Sequence, residues 1–415
     1  MWSSREIFDF EFFNRLLTEN IPYQSIGDSQ MKSRYALVII VIAELFGGSL
    51  WFSVNAIADT LYRNGVITTV DIGHLTSAVQ FGFIVGTLFF ALSGLADRYS
   101  ASRIFAICAI AGAVTNAAFI SVESDFTRAL ILRFVTGVTL AGIYPIAMKL
   151  IISWSPDKAG LALGWLVGTL ALGTGLPHFI RGIGVIPTWQ AMMMITSLLA
   201  VLAAVMVWWL GDGPHPGNNR RLQWGAALQA FRIPEFRATA CGYFGHMWEL
   251  YAFWALLPLL IAQNSRDLNE HTVSLFAFGI FVAGGIGCIL GGLFSVRWGS
   301  AKIAMIALAG SAILCLVYPW LQAMPHPFAL LLLLVWGFFV VADSPQFSAL
   351  AAKTCAADRV GGTLALMNSI GFAISIVSIE LSSMLWSAAS SYIAWLLLPG
   401  PVFGLLAMRR MWRRT

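Results

Sequence analysis

Residues 337–345 read GFFVVADSP, and two hundred positions earlier residues 137–145 read GVTLAGIYP. Each stretch opens on glycine and closes on proline with the same spacing, inside a long apolar run. Two more pairs keep step with them. LADRYSASR, ending at Arg103, answers FSVRWGSAK, ending at Lys302, and ELF from Glu44 answers ELY from Glu249. Three pairs in one order at nearly one offset mark an internal repeat. The polar segment GDGPHPGNNRRLQWGAALQAFRIPEFR, residues 211–237, divides the copies.

The runs that carry the repeat say what it is built from. The chain is 58% hydrophobic and only 11% charged, whereas soluble domains carry about 25% charged residues. Apolar stretches of about 20 residues recur along its whole length, each closed by a short polar break, and about 20 helical residues cross a bilayer core. Lipid offers the backbone no hydrogen-bond partners, so such spans must be helical. The alternation of a membrane β-barrel is missing. Twelve spans are expected, at 35–59, 73–94, 103–122, 126–152, 159–180, 189–210, 239–263, 272–295, 303–322, 327–351, 360–382 and 391–408. The expected fold is an all-α membrane protein of twelve transmembrane helices in two pseudo-symmetric six-helix halves. Its parts are a cytoplasmic segment 1–34, halves at 35–210 and 238–408, a cytoplasmic central loop 211–237 and a basic tail 409–415.

Charge sets the orientation. With a cytoplasmic N-terminus, every Lys and Arg falls on the inner side except Arg63, Arg128, Arg181, Arg266 and the intramembrane Arg133. The positive-inside rule then places both ends in the cytoplasm, in a bacterial inner membrane. The formal net charge of +5 follows from this bias and from the tail RRMWRRT, which suits an anionic lipid surface, so no nucleic-acid partner is implied. Residues 1–34 leave two readings open: an interfacial helix around REIFDFEFFNRLL, or a translation start at Met31. The five cysteines and six histidines show no metal-ligand spacing, no H-E-x-x-H is present, and no G-x-x-x-x-G-K-[ST] nucleotide loop appears. No cofactor, metal or enzymatic activity is expected, and the chain is expected to be a monomer.

The sequence resembles the major facilitator superfamily from about residue 35 to 408. In the loop after span two, SGLADRYSASR keeps Leu95, Ala96, Asp97, Arg98 and Arg103 of that family's G-x-L-a-D-R-x-G-R-K motif, with Ser93 and Ser100 where the family has glycines. Span four carries its R-x-x-x-G as Arg133 and Gly137. The antiporter motif of span five is absent, since no proline follows Gly168. The resemblance implies a secondary transporter whose halves rock about a central site, with Asp97, Arg98 and Arg103 gating the cytoplasmic face. It also implies that spans one, seven and ten line the path.

Polar residues at bilayer depth then become the candidates for the site. A charged side chain there costs about 2.5–3.5 kcal/mol even on insertion scales, so it is expected to face the bundle interior or a watery cavity. At about 1.5 Å per residue, Glu44 and Glu249 lie near the midplane and Asp343 somewhat deeper. His246 sits three residues from Glu249 and shares its face. These acids, with His246 and Arg133, are the candidate substrate and proton-coupling groups. Gly48, Trp51 and Asn55 extend a helical stripe from Glu44. They are expected to line the cavity together with Tyr251, Trp254 and Gln346, an aromatic-plus-amide lining suited to a small molecule. The expected activity is proton-coupled movement of a small organic solute. The alternatives are an uncoupled facilitator and a membrane sensor that binds a solute without moving it.

Overall fold

The computed structural model describes residues 26–63, 67–122, 125–155, 159–185, 188–215, 228–264, 268–321, 323–355 and 360–413. The proposed interfacial helix before residue 26 lies outside them, as do residues 216–227 of the central loop and the last two residues of the tail. Among the described residues there is no strand, and nine stretches are long and apolar enough to cross a bilayer. Twelve were expected. One of the nine, Gly361–Met408, runs through two helices, Val360–Ala389 and Pro399–Met408, joined by a 3-10 turn and a short helix. Span one has a shorter apolar part, Tyr35–Gly48, and span five is the 24-residue helix Ala159–Gly182.

With the sequence numbering kept, the repeat is visible in the packing. In the first half span two packs on four, three on six, one on six, one on five and three on four. In the second half eight packs on ten, nine on twelve, seven on twelve, seven on eleven and nine on ten. The second set is the first advanced by six spans. The halves meet along two seams, span two on eleven and span five on eight, which exchange under the same operation.

Glycines fix the closest of these approaches. A Cβ on Gly137, the glycine that opens the first nonapeptide, would overlap the carbonyl of Val79 in span two. A Cβ on Gly337, which opens the second, would overlap Ile280 in span eight. Small residues at such crossings let helix backbones touch where no hydrophobic driving force separates protein from lipid.

The prolines that close the nonapeptides break their spans. Span four runs Phe126–Leu140, then Tyr144–Trp154 with Pro145 in its first turn. Span ten runs His326–Ala342, then Ser344–Thr354 with Pro345 in its first turn, and Asp343 is the junction. Span one also breaks. Its helix, Ile26–Gly48, gives way to turns before a 3-10 segment at Asn55–Ile57. The stripe drawn through Glu44, Gly48, Trp51 and Asn55 is therefore interrupted, because it assumed a continuous helix to residue 59.

Candidate functional site

A cavity of about 60 Å³ lies between the halves. Span four supplies Tyr144, and span five Val167, Leu170 and Ala171. Span seven supplies Tyr243, His246, Met247, Leu250, Tyr251 and Trp254. Span ten gives Val341, Ser344 and Ser348, and span eleven Asn368 and Phe372. Both helix breaks deliver a side chain to it: Tyr144 stands before Pro145 as Ser344 stands before Pro345. Broken helices near the midplane are the usual place for a transported solute to bind.

Aromatic rings from both halves cover one side. Trp51 stacks on Tyr251 at 5.9 Å and on Phe372 at 5.8 Å and touches Phe83 at 4.8 Å. Phe52 meets Trp254 edge-on at 6.1 Å, and Trp254 meets Phe281 at 4.9 Å. About 30 Å³ is one water's share of liquid volume, and an engineered site that took up benzene measured about 150 Å³. The space between the halves is well below the size of that benzene site, so an aromatic ligand requires the walls to part.

His246 is the polar centre of the wall. Its Nδ1 lies 2.8 Å from Asp343 Oδ1 and its Nε2 2.8 Å from Ser344 Oγ, with the imidazole and the carboxylate both 1% exposed. An ionised Asp343 fixes the proton on Nδ1, as a carboxylate on one ring nitrogen does. Nε2 then accepts from Ser344 in the neutral ring and donates once the ring is protonated. Tyr243 and Phe347 flank the imidazole at 6.0 and 5.7 Å, where ring faces favour a cation.

The other candidates are placed differently from expectation. Glu249 turns away from the cavity into its own half. Its Oε1 accepts from Ser311 Oγ, from Cys315 Sγ at 3.3 Å and from Trp336 Nε1 at 2.6 Å. Its neighbours in spans nine and ten, rather than the face shared with His246, decide its direction. All three donors meet one oxygen, so Glu249→Gln is expected to keep them and to unfold thermally within about 1.5 kcal/mol of the native protein. Glu249→Leu orphans three donors at about 1–3 kcal/mol each. Thermal unfolding of the detergent-purified variants checks both, and a Gln variant as unstable as the Leu variant contradicts this bonding.

Glu44 is fully buried, and both carboxyl oxygens lack a hydrogen-bond partner among the described residues. Tyr144 of the cavity wall lies within its electrostatic reach. Arg133 pairs with no acid among the described residues. Its guanidinium donates to Leu50 O at 3.2 Å, Trp51 O at 2.6 Å, Ser53 Oγ at 3.2 Å and Asn116 Oδ1 at 3.4 Å. Two of these are carbonyls released where span one unwinds, and such groups must find donors at membrane depth.

Of the expected lining, Tyr251 and Trp254 face the cavity and Trp51 packs over it. Gly48 instead faces the backbone of Gly173, where a Cβ would lie 3.6 Å from its Cα. Asn55 donates to Thr76 Oγ1 at 2.8 Å within the first half. Gln346 is buried toward Gly291 of span eight. In the motif loop, the Asp97 side chain lies outside the described residues, Arg98 is exposed and Arg103 lies over the Trp208 ring at 5.9 Å. The loop is tied within its own half: Lys149 Nζ donates to Ala96 O, and the N–H groups of Ala101 and Ser102 donate to the Asp212 carboxylate at 3.1 and 2.7 Å.

A histidine–carboxylate contact and an ion pair cross the seams at the opposite end. His74 of span two meets Glu380 of span eleven at 2.8 Å, and Arg181 of span five meets Glu270 of span eight at 2.7 Å. Charged residues at span ends look alike in sequence whether or not a partner stands across the seam.

A membrane-spanning helical chain of two related halves, with a small aromatic cavity at the broken helices between them, has the architecture of a membrane transporter. Residues 35–379 match the family model of the Major Facilitator Superfamily, and the chain belongs to that family. It is 27% identical over 200 residues to the niacin transporter NiaP of Acinetobacter baylyi, a match spanning 46% of this chain and only 42% of that protein. It is 23% identical over 335 residues to the benzoate transport protein of the same organism, covering 70% of this chain and 71% of the relative. Among solved structures, a bacterial homolog of the human lysosomal transporter Spinster, inward-facing and unoccupied, superposes with a TM-score of 0.70 at 14% identity. That match covers 91% of this chain and 97% of the other.

Proposed function

We propose that the protein is a proton-coupled secondary transporter that carries a small ring carboxylate through the cavity between its halves. The observation that carries this reading is the buried Asp343–His246–Ser344 chain, which ends on a wall of aromatic rings. Relatives named for niacin and benzoate, both ring carboxylates, support the substrate class.

The charges fit a symport. With His246 neutral and Asp343 ionised the pair carries one buried negative charge, which costs several kcal/mol of desolvation unless compensated. A proton on the imidazole neutralises the pair, and an anionic substrate beside it then enters favourably. Anion and proton therefore favour each other's binding, since without the proton the anion would face a second buried negative charge. Release of one on the far side expels the other. Positive-inside bias supports cytoplasmic termini, so the end where His74–Glu380 and Arg181–Glu270 cross the seams faces outward, and opening toward that side breaks both contacts.

The test is uptake of radiolabelled benzoate or niacin into proteoliposomes with an imposed pH gradient, alkaline inside. Accumulation above equilibrium that collapses with a protonophore is the expected result. Uptake that reaches only the outside concentration, with or without the gradient, identifies an uncoupled facilitator and removes the proton from the mechanism.

A further inference from the structure

Four tryptophans are buried among the described residues: Trp51, Trp154, Trp254 and Trp336. The last of these donates its indole N–H to Glu249, and Trp154 donates to Gly211 O at 3.2 Å. Trp254 and Trp51 donate to nothing among the described residues, although their Nε1 atoms are buried. An indole N–H is a donor only, and a buried donor without an acceptor is expensive. Both orphans belong to the aromatic cluster of the cavity. Trp254 is part of its wall, and Trp51 stacks on wall residues Tyr251 and Phe372.

The wall contains no Lys or Arg. The two terminal nitrogens of Arg133 are directed at acceptors of spans one and three, its Nε alone being unpartnered among the described residues, and both nitrogens of His246 face Asp343 and Ser344. Acceptor recognition at this cavity therefore falls to neutral groups. We propose that the indole N–H groups of Trp254 and Trp51 receive the carboxylate oxygens of the substrate, so that the anion is held by neutral donors rather than by a cation. The proposal rests on the ring-carboxylate reading above and adds the atoms that recognise it. It also separates two tasks: the indoles fix position, and the proton on the His246–Asp343 pair balances charge.

One indole belongs to each half, Trp51 to the first and Trp254 to the second. A carboxylate that bridges them binds best when the halves are close, and a ligand shifts an equilibrium by its differential affinity for the two states. Substrate binding therefore draws the halves together around the substrate.

The test uses the full-length protein in nanodiscs, with benzoate and the neutral benzamide as ligands. Hydrogen bonds to a carboxylate are about twice as strong as those between neutral groups. Trp254→Phe and Trp51→Phe keep the ring and remove the donor. Each is expected to weaken benzoate roughly ten-fold or more and benzamide far less. Trp254→His, which keeps a ring N–H, is expected to recover part of the loss. Equal weakening of both ligands, or none, overturns the proposal and leaves the indoles as packing. Where a variant does not fold, the indole N–H resonances of the native protein carry the same test: benzoate moves two of them, and an unchanged indole spectrum at saturating benzoate refutes the contact. Native protein that binds neither ligand defeats the ring-carboxylate reading itself, and this inference with it.

Discussion

Substituting His246 by glutamine is expected to abolish pH-driven accumulation while leaving exchange of substrate across the membrane intact. A glutamine amide can still offer a donor toward Asp343 and an acceptor toward Ser344, the two contacts that His246 makes at 2.8 Å, but it takes up no proton. With one proton moved per substrate, each unit of pH gradient sustains about a ten-fold accumulation, since one unit is worth about 1.4 kcal/mol. The native protein at one unit should therefore approach ten-fold and His246→Gln should stay at one-fold, with counterflow of internal for external label preserved. Asp343→Asn is expected to act in the same direction, because it removes the buried negative charge that the coupled proton offsets. A His246→Gln protein that accumulates like the native one places the coupling proton elsewhere. Glu44 then becomes the next candidate, being buried beside Tyr144 with neither carboxyl oxygen bonded among the described residues.

Much of this was legible in the sequence because it is written in local terms. Apolar length gives the spans, and the repeated Gly-to-Pro nonapeptides give the two halves, though not the breaks at the cavity. A polar residue in a long apolar run is conspicuous, which is how His246 and Asp343 came to notice. Tyr144 precedes Pro145 as Ser344 precedes Pro345, but a tyrosine in an apolar run is less conspicuous than an acid. What stayed hidden depends on other helices. Glu249 was expected beside the substrate path, yet three donors on spans nine and ten hold it inside its own half. Periodicity carried span one straight through residues 49–54 and put Gly48 and Asn55 in the wrong surroundings, because no local residue announces the turn that is completed by Arg133 from span four. The contacts His74–Glu380 and Arg181–Glu270 join residues far apart in sequence and exist only because the seams bring their spans together.

The turn in span one makes Arg133 the residue whose loss should be felt most strongly in the fold. Arg133→Leu is expected to lower the yield of folded protein sharply and to destabilise what remains by about 3 kcal/mol or more, since hydrogen bonds from a charged group contribute about 1.5–3 kcal/mol each and buried acceptors left bare cost about 1–3. Four acceptors lose the guanidinium together, Leu50 O, Trp51 O, Ser53 Oγ and Asn116 Oδ1, and the Ser53 hydroxyl, already near Leu50 O at 3.2 Å and Asn116 Oδ1 at 2.6 Å, has one proton to offer them. The damage spreads, because Asn116 also bonds Met193 O, Thr196 and Ser197 of span six at 3.0–3.2 Å. Lysine is not expected to substitute, because a single ammonium lacks the planar fork that reaches carbonyls and side chains at once. The carbonyl of Trp51 is one of the four, so the ring that covers the cavity should lose its setting as well, and Trp51 stacking on Tyr251 and Phe372 should weaken with it. Thermal unfolding in detergent and ligand affinity on the surviving fraction check this. A well-folded Arg133→Leu protein with native thermal stability and no pH-driven uptake is the contrary result: it assigns Arg133 to an acid in another state of the cycle and takes away its place as the cap of span one.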